Sequence, residues 1–309
     1  MLDWLNMKPY TLTLFALRKP DTPEGIISSM QMNGYGLWQE FSLLPNVTLQ
    51  YFPTESTEEI PQTDFALVHD CFDSPIYNRL TEIRAKTRRK IMGFMEIVFP
   101  SPLIDMAFSF LPTPWPDRNI LKLPWPEVEQ IRLPCIRSIL DATALTAKFA
   151  GSILLDHGWI ENGKKTDCLS SLYEWLEPMQ SRTVGQLRRQ RSETVPPPAW
   201  VHSIQEGSYP AYLAQTATYE TFIVTHFGSY EHSIIDMAAR GIRVLVSVVN
   251  GKPSCNPSMI EDLRLSTFSN REELLAILAN LPPPSPMDKF TDIKAVVARI
   301  DAYAQENLP

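Results

Sequence analysis

Strand-like and helix-like segments alternate along the whole of this 309-residue chain, and that alternation restricts its fold more than any other feature. Tyr10–Leu17, Val47–Phe52 and Phe65–Asp70 are β-branched and apolar runs that stop at charged residues or prolines, as strands do. Helix-like stretches fall at 24–42 and, opened by Pro75 in a first turn that tolerates it, at Ile76–Ile91. Two further strands are expected at 92–98 and 106–111, then a structureless proline-rich connection from Pro112 to Pro134. Near residue 150 the pattern restarts. Strands are expected at 151–158, 183–187, 221–226 and 242–249, and helices at 167–179, 209–219, 231–240, 270–281 and 288–305. Alternation of this kind predicts parallel sheets covered by helices on both faces, twice over. The expected division is 1–148, 149–286, and a C-terminal helix from 287 to 309 that packs back across both domains. Phe290, Ile293, Val296, Val297, Ile300 and Tyr303 recur along that helix as one apolar stripe.

Composition closes off several function classes. Twenty-eight basic against 35 acidic residues leave a net charge of −7, which argues against general nucleic-acid binding through phosphate neutralisation. No apolar run approaches the roughly 18 residues of a membrane-spanning helix. The N-terminus lacks the basic-then-apolar order of a secretory signal, so a cytoplasmic protein is expected. The four cysteines are scattered with no metal-ligand spacing, and reduced thiols are the plain reading. No dinucleotide-binding glycine fingerprint, P-loop or nucleophile elbow is present.

The clearest unit runs from Phe222 to Val246. A buried strand ends at His226, Gly228 and Ser229 make a turn, and a helix opens near Tyr230, carries Ser233 and Asp236, and closes at Gly241 before the next apolar strand. A glycine turn opening a helix at a strand's carboxyl end offers free N–H groups and a positive dipole end to an anion. This segment resembles the donor-nucleotide motif of GT-B glycosyltransferases, with His226, Gly228, Ser229 and Ser233 matching its first part. Asp236 stands for the usual Glu at a spacing about two residues longer, and Gly241-Ile-Arg stands for Gly-Val-Pro. The resemblance implies an α/β chain of two Rossmann-like doubly wound domains facing across a cleft, and a glycosyltransferase that needs no metal or other cofactor. It also implies that the loop and helix start hold the pyrophosphate and sugar of a UDP- or GDP-linked donor, while the acidic residue binds the ribose. The plainer alternative is an ordinary strand–turn–helix in which His226 is structural.

Other constellations fit the same frame. Asp156, His157 and Gly158 end the first strand of the second half, where a donor contact or a capped loop are the two readings. Arg188 and Arg189 are candidates for a bidentate clamp on pyrophosphate, or members of a solvated charge run. Asp70, with His69 as second choice, ends a central strand of the first half and is the candidate base for deprotonating an acceptor hydroxyl. The basic run Arg84–Lys90 is a solvated face or a contact for an anionic acceptor, a membrane surface or a nucleic-acid strand. The acceptor itself is open among a saccharide, a lipid-linked glycan and a modified base. A sugar-nucleotide epimerase of the same architecture and a non-catalytic binding module are the alternative functions.

Overall fold

The computed structural model describes residues 7–17, 21–26, 29–70, 75–95, 101–110, 126–144, 147–156, 168–188, 196–205, 207–225 and 232–309. In chain order its first elements are β1 (Tyr10–Ala16), α1 (Ser29–Ser42), β2 (Val47–Pro53), β3 (Phe65–Asp70), α2 (Leu80–Lys86), β4 (Ile91–Met95), β5 (Met106–Ser109), β6 (Glu127–Gln130) and β7 (Leu133–Cys135). There follow α3 (Arg137–Ala144), β8 (Ile153–Leu155), α4 (Cys168–Leu176), β9 (Val184–Arg188), β10 (Val201–Gln205), α5 (Tyr209–Thr216), β11 (Thr221–Val224) and α6 (His232–Ala239). The chain closes with β12 (Arg243–Val249), β13 (Lys252–Pro253), α7 (Pro257–Leu263), β14 (Ser266–Phe268), α8 (Arg271–Ala279), β15 (Phe290–Asp292) and α9 (Ile293–Glu306).

Two compact units result, one of Met1–Ile136 with Phe290–Pro309 and one of Arg137–Lys289. The division falls at Ile136–Arg137 rather than at 148, because α3 packs against α5 of the second unit. In the first unit the strands are parallel in the order β2-β1-β3-β4-β5-β6, so the chain steps outward from β1 to β2 and then reverses to β3 on the other side. One face of this sheet buries Phe15, Phe52, Ala66, Val68 and Ile91 against Ile76, Leu80 and Ile83. The terminal segment returns here. β15 pairs with β7, α9 packs on α1, and the whole expected apolar stripe from Phe290 to Tyr303 is buried. Asp292 caps α9 by accepting from the Lys294 N–H, which is why the helix starts at Ile293 and leaves Phe290 to a strand.

In the second unit the parallel order is β10-β9-β8-β11-β12-β14, with β13 folded antiparallel onto β12. The first three strands run outward from β8 to one edge and the next three outward to the other, which is the Rossmann strand order. Ile153, Leu155, Val184, Ile223 and Leu245 share the face covered by α4 and α8 through Leu172, Tyr173, Leu176, Leu274 and Leu278.

Two expectations need correction. The helix expected over Ile76–Ile91 stops at Lys86, because Thr87 forms a bridge to Thr63 and Arg88 donates to the Thr63 carbonyl. The connection from Pro112 to Pro134 contains β6 and β7 among its described residues. β6 is an exposed edge strand, Glu-Val-Glu-Gln, whose polar composition hides it from a search for apolar runs. The basic residues of 84–90 are balanced within the unit: Arg84 and Lys90 pair with Asp105, Lys86 with Glu59 and Arg88 with Asp64, while Arg89 donates to the Asn307 carbonyl.

A buried polar knot ties α9 to the sheet. Tyr10 donates to Asp301 at 2.8 Å and the Asn46 amide donates to the same oxygen at 3.1 Å, with Asp301 only 2% exposed. Asp301→Ala leaves two buried donors without an acceptor, each costing about 1–3 kcal/mol. The variant should therefore unfold at a clearly lower urea concentration, with the loss confined to the transition of the first unit.

Candidate functional site

In an open parallel sheet, ligands bind outside the carboxyl ends of the strands where the strand order reverses. In the second unit that point lies between β8 and β11, and buried polar groups collect around it. Asp156 follows β8 directly, is fully buried, and donates its N–H to the Ile223 carbonyl at 2.9 Å. Thr225 follows β11 at 1% exposure, and its hydroxyl has no partner among the described residues. On β9, the Gln186 side-chain oxygen accepts from the Tyr173 hydroxyl of α4, which fixes the amide and leaves Nε2 buried and unpartnered among the described residues. Ser233 Oγ, near the start of α6, is in the same state. On β12, Ser247 donates to the Val224 carbonyl at 3.0 Å and pairs with Ser254 Oγ at 2.6 Å. Folded proteins rarely leave buried polar atoms without partners, since each costs about 1–3 kcal/mol. Here they gather at one edge of the sheet, beside the strand reversal.

Beside this edge, Ser171, Trp175, Ser247, Asn250, Phe268 and Ser269 line an open cavity of about 210 Å³, with no charged side chain in its wall among the described residues. The Asn250–Gly251 turn between β12 and β13 forms part of its rim. Both residues have positive φ, as a two-residue hairpin turn requires.

α6 brings Asp236 to the interior. Its carboxyl is 2% exposed and accepts from the Tyr209 hydroxyl at 2.8 Å. One turn on, Arg240 is also buried, and its guanidinium donates to the Asp236, Leu213 and Thr216 oxygens and to Met237 Sδ. Burial pushes the Asp236 carboxyl up to about 7, against the opposing pull of the Tyr209 hydrogen bond and the Arg240 charge. The Tyr209 hydroxyl is raised in turn, by burial first and then by Asp236. The helix ends as expected at Gly241, with φ +73°. Its N–H reaches the Ala238 carbonyl and the Ile242 N–H reaches that of Met237, a Schellman closure. In this placement the Asp236 carboxyl is buried in the packing against α5.

The first unit has its own reversal point, between β1 and β3. His69 and Asp70 close β3 there, in register with Phe94 and Met95. His69 is buried, its ring centroid 5.5 Å from that of Phe94, and its Nδ1 has no partner among the described residues. Burial holds its imidazole down at about 4, so it is neutral at physiological pH. Gly34 of α1 lies over it. A Cβ there would come within 3.1 Å of Ala16 Cβ and 3.8 Å of His69 Nδ1, so glycine allows the helix its close approach.

Of the residues expected at the donor site, Asp156, Ser233 and Asp236 all belong to the second unit, with Asp156 at the reversal point and the other two on α6. For Asp70 and Arg188 only the backbone is described, each closing its strand. His157, Gly158, Arg189, His226, Gly228, Ser229 and Tyr230 lie outside the described residues. Gln186, Thr225, Tyr173 and Tyr209 were not singled out from sequence. A lone glutamine between Gly185 and Leu187 in a strand buried on both faces was the available signal. Among the described residues, no group of three or more metal-ligating side chains occurs, and no helix is long and apolar enough to cross a membrane.

No family model matches the chain, and no curated protein does. Solved structures do. The UDP-GlcNAc 2-epimerase of Neisseria meningitidis, bound to UDP-GlcNAc, aligns with a TM-score of 0.58 at 10% identity, over 95% of this chain and 99% of that one. An α-glucosyltransferase in complex with UDP and a DNA containing an HMU base aligns at 0.56 and 11% identity, over 96% and 94%. The glycotransferase of kitacinnamycin aligns at 0.57 and 11%, over 97% and 100%. The chain therefore has the GT-B type of fold through its whole length, with two Rossmann-like units.

The Asp236 environment makes a stability prediction. Between about pH 4 and pH 7 the folded protein keeps a proton that the unfolded chain has released. Stability should thus fall as pH rises through that window, by a few kcal/mol, and level off above it. Asp236→Asn keeps an acceptor for Tyr209 and should flatten the slope, as read from urea midpoints at pH 4, 5, 6 and 7. An unchanged slope would place the carboxyl in a solvated setting.

Proposed function

We propose that this protein is a nucleotide-sugar enzyme, and specifically a glycosyltransferase that moves a sugar from a nucleoside-diphosphate donor to an acceptor hydroxyl. The observation that carries the reading is the collection of buried polar groups (Asp156, Gln186, Thr225 and Ser233) at the carboxyl edge beside the β8–β11 reversal, of which Thr225 and Ser233 flank in sequence the His226–Tyr230 segment that resembles a donor motif. The likeness in fold to proteins solved with UDP or UDP-GlcNAc supports it.

On this reading the second unit holds the donor. The glycine turn and the start of α6 present N–H groups and a positive dipole end to the pyrophosphate. On this reading His226, Gly228, Ser229, Tyr230 and Ser233, with Asp156, His157 and Gly158, are the donor-binding residues. Arg188 and Arg189, where β9 ends, complete the neutralisation of the diphosphate. As the bond between the anomeric carbon and the diphosphate oxygen breaks, negative charge grows on the leaving group. These fixed donors and cations stabilise it without a metal.

The first unit supplies the base. Asp70 takes the proton of the acceptor hydroxyl as its oxygen bonds to the anomeric carbon. His69, neutral but depressed in basicity by burial, is the weaker candidate. Substrate is the only small molecule the reaction consumes, and no other cofactor enters it.

A second reading, a sugar-nucleotide 2-epimerase, is favoured by the full-length likeness to the Neisseria enzyme. The two separate in one assay. A transferase consumes UDP- or GDP-sugar only when an acceptor is present, whereas an epimerase converts the donor alone. Asp70→Asn should lower the transfer rate by about 10²–10⁴-fold while leaving donor affinity intact. Gly228→Val should weaken nucleoside-diphosphate binding about tenfold or more in a protein that stays folded, by pushing backbone away from phosphate. Thermal shifts with UDP, GDP, CMP and dTDP read this directly, because a ligand that binds only the folded state raises its stability. Absence of stabilisation by all four would favour a non-catalytic module.

A further inference from the structure

The open cavity beside the ends of β12 and β14 joins an aromatic surface to neutral polar groups. Its wall of Ser171, Trp175, Ser247, Asn250, Phe268 and Ser269 belongs wholly to the second unit and carries no charged side chain among the described residues. Ser171 and Trp175 lie four residues apart on α4 and so share one face of that helix. Phe268 is buried at the end of β14 and meets the Trp175 indole edge-to-face, with ring centroids 6.4 Å apart. The indole itself is only partly buried and borders the cavity.

Strand register sets the polar side. Ser247 pairs with Phe268, and the pairing of Val224 with Val246 puts Thr225 in line with Ser247 on the neighbouring strand. Side chains alternate along a strand, so Thr225 and Ser247 follow Ile223 and Leu245 on the face covered by α4 and α8. Ser247 commits its proton to the Val224 carbonyl, and Ser254 then donates to Ser247, which leaves Ser247 Oγ one further lone pair. The Thr225 hydroxyl, 1% exposed, has no partner among the described residues. The polar row thus continues inward from the cavity wall with hydrogen-bonding capacity to spare.

We propose that this cavity is a saccharide subsite that seats one uncharged pyranose ring. Its volume of about 210 Å³ lies below the roughly 300–1,000 Å³ of pockets that enclose drug-sized ligands, so it suits a single ring rather than a whole nucleotide. A wall without charged side chains disfavours a phosphate or a sugar acid, whose charge would lose water without gaining a counter-charge. Hydroxyl and amide groups that donate and accept match ring hydroxyls that do the same, while the apolar face of the ring packs on the indole. The wall shares no residue with those assigned above to the donor diphosphate, so the inference rests on the cavity and not on that assignment.

The test is saturation-transfer NMR and titration of the full-length protein with methyl glucopyranoside, N-acetylglucosamine, glucuronate and uridine. Ser171→Leu extends a side chain into the cavity from a half-exposed helical position that suits leucine. Asn250→Gly removes the amide and keeps the positive φ of the turn. Circular dichroism and urea midpoints establish that both variants are folded. The two neutral sugars should bind with a Kd of about millimolar order, and glucuronate about tenfold more weakly. Ser171→Leu should weaken the neutral sugars by about tenfold or more, and Asn250→Gly by a smaller factor. Equal sugar binding by wild type and Ser171→Leu overturns the proposal, as does failure of both neutral sugars to bind the wild type. Uridine binding that Ser171→Leu abolishes, with no sugar binding, assigns the cavity to a base and overturns it too. UDP binding measured alongside keeps the two readings apart: UDP binding without sugar binding overturns this proposal alone, and sugar binding without UDP binding overturns the donor reading alone.

Discussion

The reversal of strand order beside the first strand of each sheet is the constraint on which the rest of this structure depends. Chain leaving β8 for β9 and chain leaving β11 for β12 travel in opposite directions, so the connections after these two strands part company above the carboxyl edge. At the carboxyl ends beside this point the Thr225 hydroxyl and Gln186 Nε2 are buried without partners among the described residues, while the Gln186 oxygen accepts from Tyr173 of α4. The first unit repeats the arrangement at β1 and β3, with His69 in the corresponding place.

Such groups are costly to keep. Each unpartnered buried donor or acceptor takes about 1–3 kcal/mol from a net stability of some 5–15 kcal/mol. The contrast with the Tyr10–Asn46–Asp301 knot is instructive. There, far from the strand reversals, two donors converge on one buried carboxylate oxygen and anchor the terminal helix. Arg240 likewise spends its guanidinium on four nearby groups. At the two carboxyl edges His69 Nδ1, Gln186 Nε2 and the Thr225 hydroxyl are buried without partners among the described residues, and away from the edges Asn46 Oδ1 and Arg89 Nε are in the same state.

Much of this was legible in the sequence because central parallel strands are apolar on both faces. Phe65–Asp70, Thr221–Val224 and Arg243–Val249 announce themselves as runs, and Gly241 marks the end of α6 by the left-handed backbone that only glycine adopts freely. Edge elements were hidden for the converse reason. β6 and β10 carry charged or polar residues in half-exposed positions, so no apolar run betrays them, and β14 has only three residues. The candidate site was readable as a location and not as a set of contacts. Spacing placed Asp236 on the right helix, but which face of that helix meets solvent follows from how α5 packs on it, through a tyrosine 27 residues away in sequence. Gln186 and Thr225 are single polar residues in strands, and only the strand order shows that they stand beside a crevice.

The central claim is that the carboxyl edge of the second unit, at β8 and β11, is where a nucleoside diphosphate binds. Hydrogen–deuterium exchange of the full-length protein with and without saturating UDP tests it most directly. The account predicts that slowed exchange is concentrated in residues 153–158, 184–189 and 222–236, with the strands of the first unit little changed. Protection centred on the first unit, or on the second unit's opposite sheet edge around Lys148–Ser152 and Glu220, would contradict it.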